Sequence, residues 1–159
     1  MHITVLTVGR LSESWWRDAA AEYVKRLTRY CQPQIIEVAD EKAPEKASAG
    51  ERQRILDAEG ERILKAADLS SPIWALDVRG RKMDSETFAD RINEQSLQGI
   101  SHLQFVIGGS LGLSEKVLSA SSQRVSFSDM TFPHQLMRVV LLEQIYRGFR
   151  IIRGEPYHK

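Results

Sequence analysis

A single cysteine, Cys31, stands in a chain of 159 residues, so no internal disulfide can form and the expected setting is a reducing cytoplasm. No stretch approaches the roughly 18 consecutive apolar residues that a membrane span needs. The apolar opening "MHITVLTVG" has no basic leader and no small-residue cleavage site. It runs straight into a turn and reads as a first strand. An excess of one charge sign is also missing: the formal net charge is +1, which excludes a generally basic coat for nucleic acid. Apolar residues at 42% and charged residues at 27% exclude long disorder and collagen-like repeats. There is no internal repeat and no low-complexity tract.

What is present is an alternation of short β-rich runs and helical patterns. The length suits one domain, 1–159, built around one hydrophobic core. Strands are expected at 3–9, 34–40, 72–78 and 103–109, with a fifth in "RVSFSDM". Trp16, Ala19, Ala20, Tyr23, Leu27 and Tyr30 recur at helical spacing behind a capping Ser12 or Ser14. Ile55, Ala58, Ile63, Leu64 and Ala67 mark a second helix, with Gly60 a weak point inside it. The charged segment 41–50 reads as a mobile loop or an early helix cap. Helices follow from Ser85, from Ser114 and over 133–152. Strands alternating with helices predict an α/β fold with a mostly parallel sheet flanked by helices.

In such folds ligands sit outside the carboxyl ends of the strands, and three strand ends carry unusual residues. In "FVIGGSLGL", Gly108 and Gly109 follow a buried strand and Gly112 comes three residues later. Glycines there let backbone approach a ligand and donate amides at the start of the next helix. No lysine follows Gly112, so this is not a phosphate-binding Walker loop. A tight turn and a ligand loop are equally open. In "SFSDMTFPHQ" a strand runs into a loop, Pro133 suits the first turn of the last helix, and His134 reads as a capping partner. In "ALDVRGRK", Leu76 and Asp77 close a strand, and Arg79, Arg81 and Lys82 read as a solvated basic turn.

The final helix, "LMRVVLLEQIYRGFRII", is apolar around most of its circumference and must be buried on more than one side. Packing against both the core and a second copy follows, so a homodimer is expected. Glu143 and Arg147 are four apart and suit either a helix ion pair or a functional arginine. From Arg124 to Lys159, six Lys or Arg face three Asp or Glu, a local basic excess that suits an anionic ligand or a solvated helix face.

The segments "ITVLTVG", "VIGGSLGL", "SFSDMTFPHQLMRVVLLEQIYR" and the terminal "PYHK" together closely resemble the RlmH family of SPOUT-class methyltransferases, over the whole chain. The resemblance implies transfer of a methyl group from S-adenosylmethionine to N3 of a pseudouridine in 23S ribosomal RNA, with no metal. It also implies a homodimer, and an α/β fold whose C-terminal segment threads a trefoil knot. By position it places the cofactor among Leu76, Gly108, Gly109 and the stretch Phe127, Ser128, Asp129, Met130, Thr131 and Phe132. It puts Tyr157 and His158 beside the methyl donor, with Arg147 as a third catalytic candidate.

The attacking ring nitrogen must shed a proton, and a histidine titrating near neutrality suits that task. Tyr157 is expected to stack on or orient the base, Arg147 to bind a phosphate or carbonyl, and Lys159 to add attraction for the backbone. With so low a net charge, recognition is expected on assembled ribosomes. The rival from another class is a ribosome-associated RNA-binding protein without catalysis.

Overall fold

The computed structural model describes residues 1–157. Its strands are β1 (His2–Val8), β2 (Gln32–Val38), β3 (Ile73–Lys82), β4 (His102–Ile107) and β5 (Gln123–Ser126). The helices are α1 (Ser14–Leu27), α2 (Ala49–Ala66), α3 (Ser85–Leu97), α4 (Glu115–Ala120) and α5 (His134–Ile152). The five strands form one parallel sheet in the order β2-β1-β4-β3-β5. The expected α/β architecture is present.

Two apolar layers hold the sheet between helices. On one face α1, α3 and α5 cover Ile3, Val5, Trp74, Phe105 and Val125. On the other, α2 and α4 cover Leu6, Val8, Ile73 and Val106. Leu103 and Phe105 share one face with Ile3 and Val5, while Leu6 and Val8 face the opposite layer with Val106. Strands buried on both faces explain the near-continuous apolar runs in the sequence. Helix α5 lies against both α1 and α3, so much of its apolar circumference is covered within one chain.

Local signals differ from expectation at three points and settle an open reading, loop or helix cap, at a fourth. Neither Ser12 nor Ser14 caps α1: Glu13 takes the N-cap position without a side-chain bond, and Ser12 donates its amide and hydroxyl to Gln135 Oε1 at 3.0 and 3.2 Å. That contact ties the entry of α1 to that of α5. The charged segment before α2 ends in a full capping box, with Ser48 and Glu51 satisfying each other's amides. Gly60 is no weak point, because a β-carbon there would stand 2.2 Å from Ser114 Oγ, so its absence lets α2 approach the start of α4. Finally, β3 runs past its expected end, and its pairing with β5 slips between Leu76 and Arg81, both opposite Val125. The intervening residues therefore bulge out of the ladder, immediately beyond Leu76.

Arg138 was read in the sequence only as part of a basic excess, yet it is 1% exposed. Its Nη1 meets Glu37 Oε1 at 2.5 Å and its Nη2 donates to the Gly9 carbonyl at 2.9 Å. The first turn of α5 is thereby bolted to the ends of β1 and β2. Arg138→Ala leaves Glu37 and that carbonyl without their partner, and the expected cost is about 3 kcal/mol, a fall in Tm on the order of 10 °C. Thermal unfolding of the variant checks this.

Candidate cofactor cavity and C-terminal tail

A cavity of about 810 Å³ opens at the carboxyl ends of β3, β4 and β5 and is closed by the start of α5. Its size is that of a site for a nucleoside-sized ligand. Three chain segments wall it: the bulge after Leu76, the glycine loop from Ile107 to Leu113, and the loop from Val125 to Pro133. Leu76, Ile107, Leu118, Val125 and Met137 supply apolar surface, while Ser110, Ser128, Thr131 and the loop backbones supply polar edges.

The glycine loop doubles back on itself. Gly109 and Gly112 form an antiparallel bridge, the Gly112 amide donates to the Gly109 carbonyl at 3.1 Å, and Gly112 has φ +88°. A β-carbon on Gly108 would lie 2.3 Å from the Gly112 carbonyl oxygen. One on Gly109 would lie 3.0 Å from Glu59 Oε2 and 3.1 Å from Val8 Cγ1. Turn and ligand loop are therefore not alternatives. The glycines are required by the closure of the turn and its seat on the protein, and the closed turn in turn forms the cavity wall.

Beneath that loop lies a residue the sequence reading missed. Glu59, on α2, is 3% exposed. Its Oε1 accepts the Glu41 amide at 3.0 Å, and burial pushes its carboxyl above the usual range. In the sequence it is one acid among many on a charged helix, and only the adjacent Gly60 hints at close packing.

The loop after β5 is held by two nested bonds. Ser126 Oγ donates to the Ser128 carbonyl at 3.0 Å, and the Met130 amide donates to Ser128 Oγ at 3.0 Å. Phe127 anchors it from below, edge-on to Phe88 with ring centres 5.9 Å apart. Met130, 73% exposed, and Phe132 stand at the cavity rim. Asp129 is the exception in the stretch: its carboxylate turns outward and pairs with Lys82, so its side chain is not part of the cavity wall. Within the basic turn, Lys82 is occupied by that pair, and Arg79 Nε lies 3.8 Å from Asp77 Oδ1.

His134 does not cap α5. Pro133 takes the N-cap position with no side-chain bond, and the imidazole lies on the cavity wall. Burial, reinforced by Arg138 and opposed by Asp40, holds its pKa below the ordinary histidine range.

At the far end of α5 the tail folds back on the helix. The Tyr157 ring meets Tyr146 edge-on at 5.0 Å, the Arg147 guanidinium sits 4.8 Å from the same ring, and the Tyr157 hydroxyl donates to Glu143 Oε1 at 3.1 Å. Burial, together with the nearby Glu143 carboxylate, raises the Tyr157 pKa to about 12, so the phenol stays protonated and acts as a donor. Arg147 grips Glu143 through Nε at 3.0 Å and Nη2 at 2.6 Å. The helix ion pair exists, and it also forms the seat of the tail. His158 and Lys159 lie outside the described residues.

The predicted residues thus fall into two groups. Leu76, Gly108, Gly109, Phe127, Ser128, Met130, Thr131 and Phe132 come together around the cavity, and Arg147 joins Tyr157. The groups do not meet within one chain: Arg147 is nearly three helical turns from Met137 on the cavity wall, about 15 Å along the axis. Among the described residues no cluster of His, Cys, Asp or Glu could hold a metal ion, and no helix is long and apolar enough to cross a membrane.

The sequence from 1 to 158 matches a family model described as predicted SPOUT methyltransferase. Over their full lengths, this chain and the ribosomal RNA large subunit methyltransferase H of Bifidobacterium adolescentis are 54% identical, and it is 52% identical to that of Clostridium acetobutylicum. Among solved structures, a probable methylase family protein from Haemophilus influenzae superposes with a TM-score of 0.55 at 14% identity, over 99% of this chain and 70% of that one. A putative methyltransferase from Legionella pneumophila, solved with bound S-adenosylmethionine, superposes at 0.52 and 9% identity, over 96% of this chain and 66% of its own.

Proposed function

Since this chain belongs to the SPOUT methyltransferase family, and within it to the ribosomal RNA large subunit methyltransferase H group, we propose that it methylates N3 of a pseudouridine in 23S ribosomal RNA. The observation that carries the reading is the cavity of about 810 Å³ at three strand ends. Its mixture of apolar wall and loop backbone suits S-adenosylmethionine, with an apolar slot for the adenine and amides and hydroxyls for the ribose and amino-acid ends. When bound, that cofactor supplies an electrophilic methyl on a sulfonium.

The chain's residues do the rest. The loops at Leu76, Gly108 to Gly109 and Phe127 to Phe132 bind and orient the donor, Asp129 contributing backbone only. Closure of the rim by Met130 and Phe132 excludes water. Tyr157, a permanent donor, orients the target base, Arg147 holds a phosphate or carbonyl, and His158 accepts the proton that N3 loses as its bond to the methyl forms.

A homodimer completes the site. Tyr157 and Arg147 stand too far along α5 to serve the cavity of their own chain, whereas a second copy can lay its tail over that cavity, covering the exposed Met130 and Phe132. We read 1–159 as one SPOUT domain whose C-terminal segment threads a trefoil knot. The substrate is the assembled ribosome in the cytoplasm, where shape supplies the contact that a net charge of +1 does not.

The test is methyl transfer from labelled S-adenosylmethionine to naked 23S RNA, large subunits and whole ribosomes lacking the modification, with the nucleotide identified by mass spectrometry. Label on N3 of pseudouridine, highest with ribosomes, is expected. Ribosome binding with no cofactor binding and no label would mark a non-catalytic binder.

A further inference from the structure

Beside the tail, α1 and α5 end together and bring basic and aromatic residues to one surface. Lys25, Arg26 and Arg29 are exposed on the last turn and exit of α1, and Arg153 is exposed at the exit of α5. Arg153 and Arg29 both lie against the ring of Tyr30, with guanidinium carbons 4.8 and 5.8 Å from its centre. A shallow depression of about 290 Å³ runs between Arg26, Arg29, Tyr30 and Tyr146.

Two acids border this surface, and both are engaged. Glu22 accepts from Arg26 Nε at 2.8 Å. Glu155 is turned inward, accepting the Tyr30 hydroxyl at 2.5 Å and lying 3.1 Å from Arg150 Nε, and its carboxyl is held below the usual range chiefly by that hydroxyl. Arg29 is 69% exposed at the side chain and only 3.7 Å from Glu155 at its nearest nitrogen, so most of its charge faces water. In a protein of net charge +1, this is a concentration of positive charge rather than a sample of the average surface.

We propose that this basic, tyrosine-backed surface holds the RNA strand flanking the target nucleotide. The inference rests on the reading of the protein as an rRNA methyltransferase and adds where the substrate is gripped. Guanidiniums held against a tyrosine ring are less free than isolated side chains, and bind phosphates bidentately at less entropic cost. The Tyr30 ring is itself held by stacking on Phe149, with centres 5.9 Å apart, so the surface beneath the guanidiniums is rigid. The surface adjoins Tyr157, which packs on Tyr146, so RNA held here has its neighbouring nucleotide delivered to the tail. The basic turn at 79–82 is a weaker candidate for this role, because Lys82 is paired with Asp129.

The experiment compares wild type with Arg29→Glu/Arg153→Glu and with Arg29→Lys/Arg153→Lys, using large ribosomal subunits as substrate over a range of potassium chloride. For the glutamate pair, KM for the subunits should rise at least about 10-fold, and the salt dependence should flatten by one to two phosphate contacts. The rate at saturating subunits and the Kd for S-adenosylmethionine should stay within about twofold. The lysine pair should fall between, keeping the salt slope but losing the bidentate fork.

Unchanged KM and salt slope in the glutamate pair would overturn the inference while leaving the methyltransferase reading intact. So would conversion to a monomer on sedimentation, which would assign the surface to contact between copies. A wild-type protein that transferred no methyl group would overturn the underlying reading, and this inference with it.

Discussion

A chain ending at Glu155 is expected to transfer methyl groups about 10³-fold more slowly than the full-length protein while still binding S-adenosylmethionine. Loss of a positioned acid or base costs about 10²–10⁴-fold, and this truncation removes Tyr157 and His158 together. Cofactor affinity should hold, because among the described residues neither Pro156 nor Tyr157 lines the cavity of its own chain. Stability should change slightly, since the deletion removes the Tyr157 ring from Tyr146 and its hydroxyl from Glu143. A contact of that kind contributes about 1 kcal/mol, equivalent to a Tm fall of about 2–4 °C.

The same variant decides which chain supplies the tail. Mixed with a full-length partner whose cavity has been disabled, it should form heterodimers with one good cavity facing one good tail, and activity should return. If mixing restores nothing although dimers exchange, each tail serves its own chain. Full activity in the truncated protein alone would remove the tail from the reaction. The point variant His158→Ala separates proton removal from docking: a base role predicts partial recovery as pH rises, because solvent then takes the proton more readily.

Gly108→Val is the natural cavity-disabling partner, and its own effect should be nearly as large. The new β-carbon would stand 2.3 Å from the Gly112 carbonyl oxygen, and backbone on a closed turn cannot yield as a side-chain tip can. The turn must open, and S-adenosylmethionine affinity should fall at least about 100-fold, near 2.7 kcal/mol. The fold should survive, because the sheet beneath is closed by Val106 and Phe105 rather than by the loop.

Gly109→Ala makes a useful contrast. Its β-carbon meets the Glu59 carboxylate and a Val8 methyl at 3.0–3.2 Å, contacts that can shift by a few tenths of an ångström, so a loss of about 10-fold or less is expected. Calorimetry with both variants checks the ranking. Equal and unaltered affinities would mean that the turn forms no part of the cofactor site.

Much of this molecule is dictated locally, and the sequence alone determined those parts. The continuous apolar strands, the helical spacing between them and the glycines after β4 follow from period, burial and backbone sterics, which act over a few residues. The parallel α/β fold and the position of the cavity at three strand ends were legible for that reason. The resemblance named the candidate cofactor residues, and the structure brings all but the Asp129 side chain to the wall of one cavity.

Other features depend on residues far apart in the chain, and only the tertiary structure decided them. Arg138 is a surface charge in any local reading until Glu37 and Gly9, at the ends of two other elements, meet it in the interior. Glu59 is one acid on a charged helix until Gly109 is laid against it. Gly60 reads as a helix defect until Ser114 packs on it. Asp129 turns out of the cavity because Lys82, brought alongside by the slipped β3–β5 pairing, captures it. Arg29 and Arg153 become a single surface only because α1 and α5 end side by side over Tyr30. In each case the deciding contact joins segments distant in the chain, which no local periodicity records; for Arg138 it is a desolvated pair and for Gly60 and Gly109 a steric approach.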